Sequence, residues 1–573
     1  MRSGADCVME GLKQAGVTTI FGLPGGAVLD LFARLYHTDF EFILSRHEQG
    51  ATHMADGYAR ATGRVGCCLV TSGPGATNTV TGLATANMDG IPIVCITGQV
   101  QSHMIGNDAF QEADTVGITR AVTKHNYLVK SVDDVPRIIA EAFHVASTGK
   151  PGPVLIDIPK DIQQARTEAA APAKVVMRGY KPVYEGHPRQ IAKLAAAINA
   201  AARPLLYVGG GVIAGNAAEE LTALARKSGV PVTTTLMGTG AFPETDPLAL
   251  RMLGMHGTAA ANLAVSHCDL LISVGARFDD RVTGKISEFA PHAKKAHIDI
   301  DPSAIDKSVA TDIPVVGHVK HVLRELIAQV KPVDRHEWLA QLAKWQAEHP
   351  LTYNRQSTKL LPQYVIEQIY ETTGGDAIIV TDVGQHQMWS AHFFKYTKPR
   401  TFLSSGGLGT MGYGLPAAIG AQAGLRDRRV ITISGDGSIQ MNFQELVVAV
   451  EHDLPVKVVI LNNGYLGMVR QWQEMFYHKE YSITRLGRTG RTRIEKMKEP
   501  AEDGYLPDFV KLAEAHGATG IRVTRPKEVA PALRKAYEIR GPVVVECVVK
   551  SDENVYPMVP PGASLKEMVH SLA

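Results

Sequence analysis

At 573 residues the chain is too long for one hydrophobic core, so two to four domains are expected. It is 45% hydrophobic and 20% charged with a formal net charge of +2, an ordinary globular composition that argues against nucleic acid or an anionic membrane as the main partner. The six cysteines (Cys7, Cys67, Cys68, Cys95, Cys268, Cys547) show no CxxC or Cys/His spacing, so neither a disulfide framework nor a zinc site is indicated and a reduced, cytoplasmic compartment fits.

Residues 1–6 lead straight into an amphipathic helix instead of a signal peptide, and no apolar run is long enough to span a bilayer. Strand-like and helix-like runs then alternate: TTIFGLPGG, VLDLFARLY, FEFILSR, ATHMADGYARA and GCCLVTSGPG. That alternation predicts an α/β fold of doubly wound parallel sheets. Residues 166–190, rich in Ala, Pro and Gly, read as a surface linker, and 331–362, with two tryptophans among charges, as a second crossing. Three units remain, 1–165, 190–330 and 363–548, with a tail at 549–573 and no short-period repeat.

In the first unit, Glu48 in SRHEQGA follows the strand FEFILS and opens the next helix. By position alone it is an acid favoured at a helix N-terminus. In the middle unit, LLYVGGGV sets Gly209, Gly210 and Gly211 after a strand, where they can admit a phosphate backbone. The GxGxxG spacing of an NAD fold is imperfect, and the acid expected at the end of its second strand is not evident. VGARFDDRV is more discriminating: two arginines bracketing two aspartates can hold a diphosphate, although a solvated charged turn reads the same way.

The third unit carries the most specific signal. The strand RVITIS is followed by the turn Gly435-Asp436-Gly437, a helix through NFQELVVAVEH, and the strand VKVVIL ending in Asn462-Asn463. Both loops fall at carboxyl ends of parallel strands, where open α/β sheets bind ligands. Asp436 and Asn463 offer one anionic and one neutral oxygen, the sparse contribution that magnesium prefers when phosphate oxygens and water complete its shell. GDG and NN are each common turns; separated by helix plus strand they are hard to dismiss.

With GDG and NN in the third unit, RHEQGA and SGPGATN in the first, and GMHGT, RFDDR and HIDIDP in the middle, the chain resembles the thiamine-diphosphate-dependent enzymes. Within them it is similar to acetohydroxyacid synthase catalytic subunits over nearly its whole length. The resemblance implies three doubly wound parallel-sheet domains: pyrimidine-binding (1–165), FAD-binding (190–330), and diphosphate and Mg2+-binding (363–548). It implies metal ligation by Asp436, Asn463 and the Tyr465 carbonyl. Glu48 is then the activating acid beside N1′ of the aminopyrimidine, promoting the imino tautomer that takes the C2 proton; it must be sheltered to share a proton with the ring.

Further thiamine diphosphate contacts are implied for Gly26, Ala27, Pro74 and Asn78 in the first unit. In the third they are Gly384, Gln385, His386, Gly409, Gly437, Ser438, Leu466, Gly467 and Met468, with Met411 propping the cofactor into its bent shape. FAD contacts are implied for Gly209, Gly210, Gly211, Leu236, Met237 and His256, then Arg277, Asp279, Asp299 and Asp301, with Gln387 and Met388 from the third unit. On the substrate side stand Arg281, a cation for the second acid's carboxylate, and Trp472, an apolar wall, with Phe110, Gln111, Lys160 and Val469. A salt bridge to Asp279 or Asp280 is the plainer role for Arg281, and core packing for Trp472.

The implied reaction decarboxylates pyruvate and joins the two-carbon unit to a second pyruvate, giving 2-acetolactate, or to 2-oxobutyrate, giving 2-aceto-2-hydroxybutyrate. These are early steps toward branched-chain amino acids, with the flavin structural. Because such sites combine domains of different subunits, a homodimer or homotetramer is implied, and a small regulatory subunit is admitted as a partner. Two departures stand out. In PVVGHVK, His318 stands where such proteins usually have an aspartate after the glycine Gly317, and 483–505, with six basic and four acidic residues, is an insertion expected to form a mobile surface loop beside the active site. A pyruvate oxidase-like enzyme, a flavin-free catabolic synthase and a catalytically dead binding subunit are the competing readings; intact Glu48, Asp436 and Asn463 speak against the last.

Overall fold

The computed structural model describes residues 1–487 and 507–571. They build an α/β protein of three parallel six-stranded sheets. Strands such as GCCLV and VITIS are buried along their length, as parallel sheets covered on both faces require.

After β1 (Arg2–Ser3), the first sheet holds β2 (Thr19–Leu23), β3 (Glu41–Leu44), β4 (Gly66–Val70), β5 (Ile93–Gln99), β6 (His125–Leu128) and β7 (Val154–Pro159), in the order β3-β2-β4-β5-β7-β6. β8 (Arg166–Thr167) pairs antiparallel with β1, so the stretch read as a linker begins by closing the first unit. The middle sheet holds β9 (Pro204–Val208), β10 (Val232–Thr234), β11 (Ala249–Met252), β12 (Leu270–Val274), β13 (Lys294–Asp299) and β14 (Ile313–Val316), in the order β11-β10-β9-β12-β13-β14. The third holds β15 (Ile378–Thr381), β16 (Phe402–Leu403), β17 (Val430–Gly435), β18 (Lys457–Asn462), β19 (Thr519–Val523) and β20 (Val543–Val548), in the order β16-β15-β17-β18-β20-β19.

Counted from its own first strand, the third sheet repeats the order of the first, a long-range repeat that local sequence periodicity does not reveal. The middle sheet has the order of dinucleotide-binding folds. In each sheet the order turns back at the first strand, between β2 and β4, β9 and β12, or β15 and β17, and the loops that diverge there open a crevice at the carboxyl edge.

The second stretch read as a crossing contains a helix, His336–Glu348. Its Trp338 is buried, with Nε1 donating to the Pro204 carbonyl at 3.1 Å, and Trp345 packs edge-on against it. The tryptophans form the inward stripe of this helix and the charges its solvent face. The tail crosses to the middle unit, where the Val559 amide donates to the Met255 carbonyl (2.8 Å) and the Lys285 amide to the Ala563 carbonyl (3.0 Å).

Two helices in equivalent places join the first and third units: Glu48–Thr62, between β3 and β4, and Gly414–Gly424, between β16 and β17. A Cβ on Gly57 would lie 2.0 Å from the Ala417 carbonyl oxygen, and one on Gly420 would lie 1.8 Å from that of Met54. Backbone therefore rests on backbone. Beside the contact, buried Arg60 bridges Asp56 (2.5 Å) and Asp89 (2.9 Å), and the Tyr413 hydroxyl donates to Asp56 (2.7 Å). Asp89 also accepts from the Gly406 and Gly407 amides at 3.1 and 2.7 Å. Such charge-assisted bonds offset the desolvation of the buried ions.

An alanine at Gly420 gains about 1 kcal/mol of helix propensity. It meets rigid backbone, however, and overpacking of that kind costs about 1–3 kcal/mol or more. Gly420→Ala should therefore lower the melting temperature in circular dichroism, whereas Gly541→Ala, with nothing within 4 Å of its Cβ, should leave it unchanged.

Candidate active site

The crevice of the third sheet opens into a cleft between the Val383–His386 loop, the Gly435–Ser438 turn and the Tyr465–Val469 segment, with Trp389, Met411 and Asn463 in its walls. Asp436 begins a short helix directly after β17 and is buried. Burial pushes its carboxylate up to about 7, an effect that nearby backbone amides offset only in part. No ion pair to it occurs among the described residues, and a cation would compensate the buried charge.

Asn463 Oδ1 accepts from the Tyr465 amide (3.0 Å) and its Nδ2 donates to Gln385 (3.3 Å). Glycines keep the walls open, since a Cβ on Gly437 would lie 2.7 Å from the Leu466 side chain and one on Gly467 would lie 2.1 Å from Gln385 Oε1, so that either would displace its neighbour. Gly384 (φ 150°) and Gly409 (φ 72°) adopt backbone conformations that side chains disfavour. Ser438 Oγ donates to the Val383 carbonyl at 2.8 Å. His386 is buried, its ring held neutral by a pKa of about 3, and its Nε2 has no partner. An uncompensated carboxylate, an unpartnered ring nitrogen and a glycine-walled cleft suit a divalent cation carrying a diphosphate. Behind them Asp382 accepts from the Val383 and Gly412 amides (3.0 and 2.8 Å) and from Ser434 Oγ (3.1 Å), tying the Met411 loop to β17.

In the first sheet's crevice, Glu48 is buried and its Oε2 accepts from Asn78 Nδ2 at 2.9 Å. The start of its helix is held from the third unit by Glu445, whose two oxygens accept from the Arg46 amide at 3.2 and 3.0 Å. Glu445 lies so close beneath Gly50 that a Cβ there would be 2.5 Å from its Oε1, and burial pushes its pKa up to about 7. Gly26 opens a turn with free space around it; Lys160 Nζ donates to its carbonyl at 3.2 Å, and Gln163 donates to that of Ala27 at 2.8 Å. Pro74 starts a short helix at the same edge. Gln111 has a left-handed backbone (φ 58°) and lies against Gly73, while Phe110 is 87% exposed. Glu48 does not line the third-unit cleft, whose walls come wholly from residues 383–469.

In the middle sheet's crevice, a Cβ on Gly209 would lie 2.3 Å from the Gly275 carbonyl oxygen, and one on Gly211 would lie 2.8 Å from the Gly275 Cα. Gly210 begins the helix there. β10 ends in Thr234, so the ribose-binding acid of NAD folds is lacking at that place. Arg277 pairs with Asp279 at 3.9 Å, and Asp279 caps the Arg281 amide at 3.0 Å. Asp299 and Asp301 accept amides of their own turn, from Asp301 (2.9 Å) and Ser303 (3.0 Å). Buried His256 has an unpartnered Nδ1. Leu236 and Met237 flank Gly406 of the third unit; nearby, Gln387 donates to Ser404 Oγ (2.6 Å), and Met388 packs on the third core. His318 Nδ1 accepts from the Lys320 amide (3.3 Å), so histidine performs the helix cap open to an aspartate.

Arg281 and Trp472 meet across the middle and third units, the guanidinium carbon 5.6 Å from the ring centroid. The ion pair of Arg281 with Asp280 is long (3.8 Å) and exposed, worth little in water. Trp472 is half-buried, edge-on to Phe476 at 5.9 Å. Residues 488–505 of the insertion lie outside the described residues; of the rest, Thr484 and Leu486 pair with the segment beside Asn463, through Leu466 N to Thr484 O and Leu486 N to Gly464 O, each 2.8 Å. Sequence reasoning missed Trp389, Asp382 and Glu445. For the two acids the signal was present as single charges in the apolar runs IIVTDVG and NFQELVV, where a buried charge demands partners.

Three family descriptions match the chain: the thiamine pyrophosphate enzyme N-terminal TPP binding domain at residues 2–118, the central domain at 191–326 and the C-terminal TPP binding domain at 382–547. Similar proteins include the acetolactate synthase large subunit of Mycobacterium tuberculosis, 51% identical over 99% of this chain and 91% of that protein. The acetolactate synthase large subunit of Corynebacterium glutamicum is 49% identical over 100% and 90%, and the isozyme 3 large subunit of Escherichia coli is 46% identical over 99% and 98%.

Glu445 binds its proton more tightly folded than unfolded, so its contribution to stability falls as pH rises from the ordinary carboxylate range through about 7. Glu445→Gln removes that dependence. Its melting temperature relative to the parent should climb between pH 4.5 and about 7 and then level, corresponding to about 3 kcal/mol at most. A difference constant with pH would mean that Glu445 does not titrate in this range.

Proposed function

We infer, from the premise that the chain belongs to the acetolactate synthase large subunits of the thiamine pyrophosphate enzyme family, that its three crevices divide one carboligation among them. The activity is that of an acetohydroxyacid synthase: pyruvate loses carbon dioxide, and the two-carbon unit joins a second pyruvate or 2-oxobutyrate, on the route to branched-chain amino acids. The observation that carries the site assignment is the uncompensated Asp436 carboxylate in its glycine-walled cleft.

Thiamine diphosphate, when bound, supplies the electron sink that a 2-oxo acid needs to lose carbon dioxide. Asp436, Asn463 and Tyr465 are the residues that would hold Mg2+, and Gly437, Ser438, His386 and Met411 line the same cleft, where they would hold the cofactor. Glu48, sheltered and held by Asn78, shares a proton with the pyrimidine nitrogen. Because Glu48 and Asp436 occupy separate crevices of one chain, a complete site takes Glu48 from a second copy, making a homodimer the minimum unit. Exposed apolar side chains at the two mouths, Leu29 and Phe110 on one and Met441 and Val469 on the other, are what that copy covers.

FAD would occupy the middle crevice in a structural role, held by Gly209–Gly211, His256, Arg277 and Asp279; Thr234 at the end of β10 favours it over NAD. Arg281 binds the acceptor's carboxylate and Trp472 packs against its alkyl group, with Phe110, Gln111 and Lys160 supplied by the first unit of the second copy. A small regulatory subunit is a further partner, on the large-subunit naming of the relatives. No helix among the described residues is long and apolar enough to cross a membrane. Six free buried cysteines suit a cytoplasmic location.

Glu48→Gln should retain thiamine diphosphate yet slow deuterium exchange at its C2 by about a hundredfold or more, measured by NMR after acid quench. Exchange at the parent rate would remove Glu48 from proton transfer. Trp472→Leu should lower the preference for 2-oxobutyrate over pyruvate by roughly tenfold, since one methylene in a pocket is worth about 1–3 kcal/mol, with pyruvate decarboxylation preserved. The two acceptors in competition give the product ratio; an unchanged ratio makes the tryptophan a packing residue only.

A further inference from the structure

Asn462, the first of the two asparagines, is the last residue of β18, and its side chain turns away from the cleft. Its Nδ2 donates to Glu546 Oε1 at 2.8 Å, and its Oδ1 accepts from the Gly464 amide at 3.2 Å, between the proposed metal ligands Asn463 and Tyr465. Glu546 lies on the neighbouring strand β20, opposite Ile460, and is fully buried. A carboxylate in the run VVVECVV is costly unless its oxygens are used. Here both are: the second accepts from Arg522 Nε at 2.8 Å, and Arg522 in turn donates to Asp508 at 2.6 Å. The chain Asp508, Arg522, Glu546, Asn462, Gly464 thus runs from the cap of the Phe509–Ala515 helix across β19, β20 and β18 to the turn carrying the ligands.

We propose that Glu546 is a positioning residue for the metal turn, acting through Asn462: it fixes the asparagine amide so that Oδ1 faces Gly464 and sets the backbone on which Asn463 and the Tyr465 carbonyl are carried. This rests on the metal-site reading above. Partners one bond removed from the ligands characteristically govern metal affinity in this way.

The test is a magnesium titration of the full-length protein at saturating thiamine diphosphate, read as cofactor retained after gel filtration, beside the melting temperature of the metal-free protein. Glu546→Gln sets an amide donor against one of two existing donors. It should raise the magnesium midpoint about tenfold or more while the metal-free melting temperature holds. Adding Asn462→Asp restores a hydrogen bond of reversed polarity and should return the midpoint to within about threefold of the parent. An unchanged midpoint in Glu546→Gln, or a raised one that Asn462→Asp does not reverse, overturns the proposal. Should Glu546→Gln fail to fold, Asn462→Ala leaves Glu546 paired with Arg522 and is titrated instead: the same rise supports the proposal, and a parental midpoint ends it. Asp436→Ala separates the two levels. If it keeps the parental midpoint, the metal-site reading falls and this inference with it; if it loses the cofactor while Glu546→Gln does not, only the inference falls.

Discussion

Backbone resting on backbone between the Glu48–Thr62 and Gly414–Gly424 helices sets the relation of the first and third units. Gly57 and Gly420 permit it, because a Cβ at either would overlap a carbonyl of the opposite helix. The approach brings Glu445 onto the amides that open the Glu48 helix, and Asp89 onto the Gly406 and Gly407 amides of the loop leading to Met411. Both crevices are thereby shaped in part by the other unit. The buried Arg60 between Asp56 and Asp89 gives that docking direction as well as area, since a charge trio tolerates little displacement in a low dielectric.

Carboxylates buried without an ion pair among the described residues recur near the ligand edges. Asp436, Glu445 and Asp382 are pushed up to about 7, about 7 and about 6 by desolvation, each partly offset by backbone amides. Asp382 and Glu445 have their oxygens occupied by loops and shape the site. Asp436 faces the cleft, and its charge is the one left for a ligand to neutralise. That difference in what the oxygens touch, not the pKa itself, separates a positioning acid from a proposed metal ligand.

The first and third sheets share one strand order, and each opens its crevice between its first and third strands. The same topology thus presents Glu48 with Asn78 in one place and Asp436 with Asn463 in the other. The middle sheet, with its dinucleotide order, closes on Gly275 so tightly that only glycines at 209 and 211 fit. Its RFDDR turn reaches out to place Arg281 over Trp472, joining the middle unit to the third at the proposed acceptor pocket.

The alternation of strands and helices, and the loops holding Glu48, Asp436 and Asn463, were legible in the sequence because period and turn chemistry are local properties. The helix at His336–Glu348 inside the second crossing was not legible because its charges dominate the string, while Trp338 and Trp345 pack inward only when the middle sheet supplies a surface. Partnerships across long separations had no local signal. Asn462 with Glu546, Arg46 with Glu445 and Arg281 with Trp472 lie 84, 399 and 191 residues apart, and only strand order and helix docking bring them together. Sequence alone therefore determined which chemistry the chain carries and at which strand ends. The tertiary structure decided which side chains hold those groups in place, because a hydrogen bond depends on distance in space, to which position along the chain is blind.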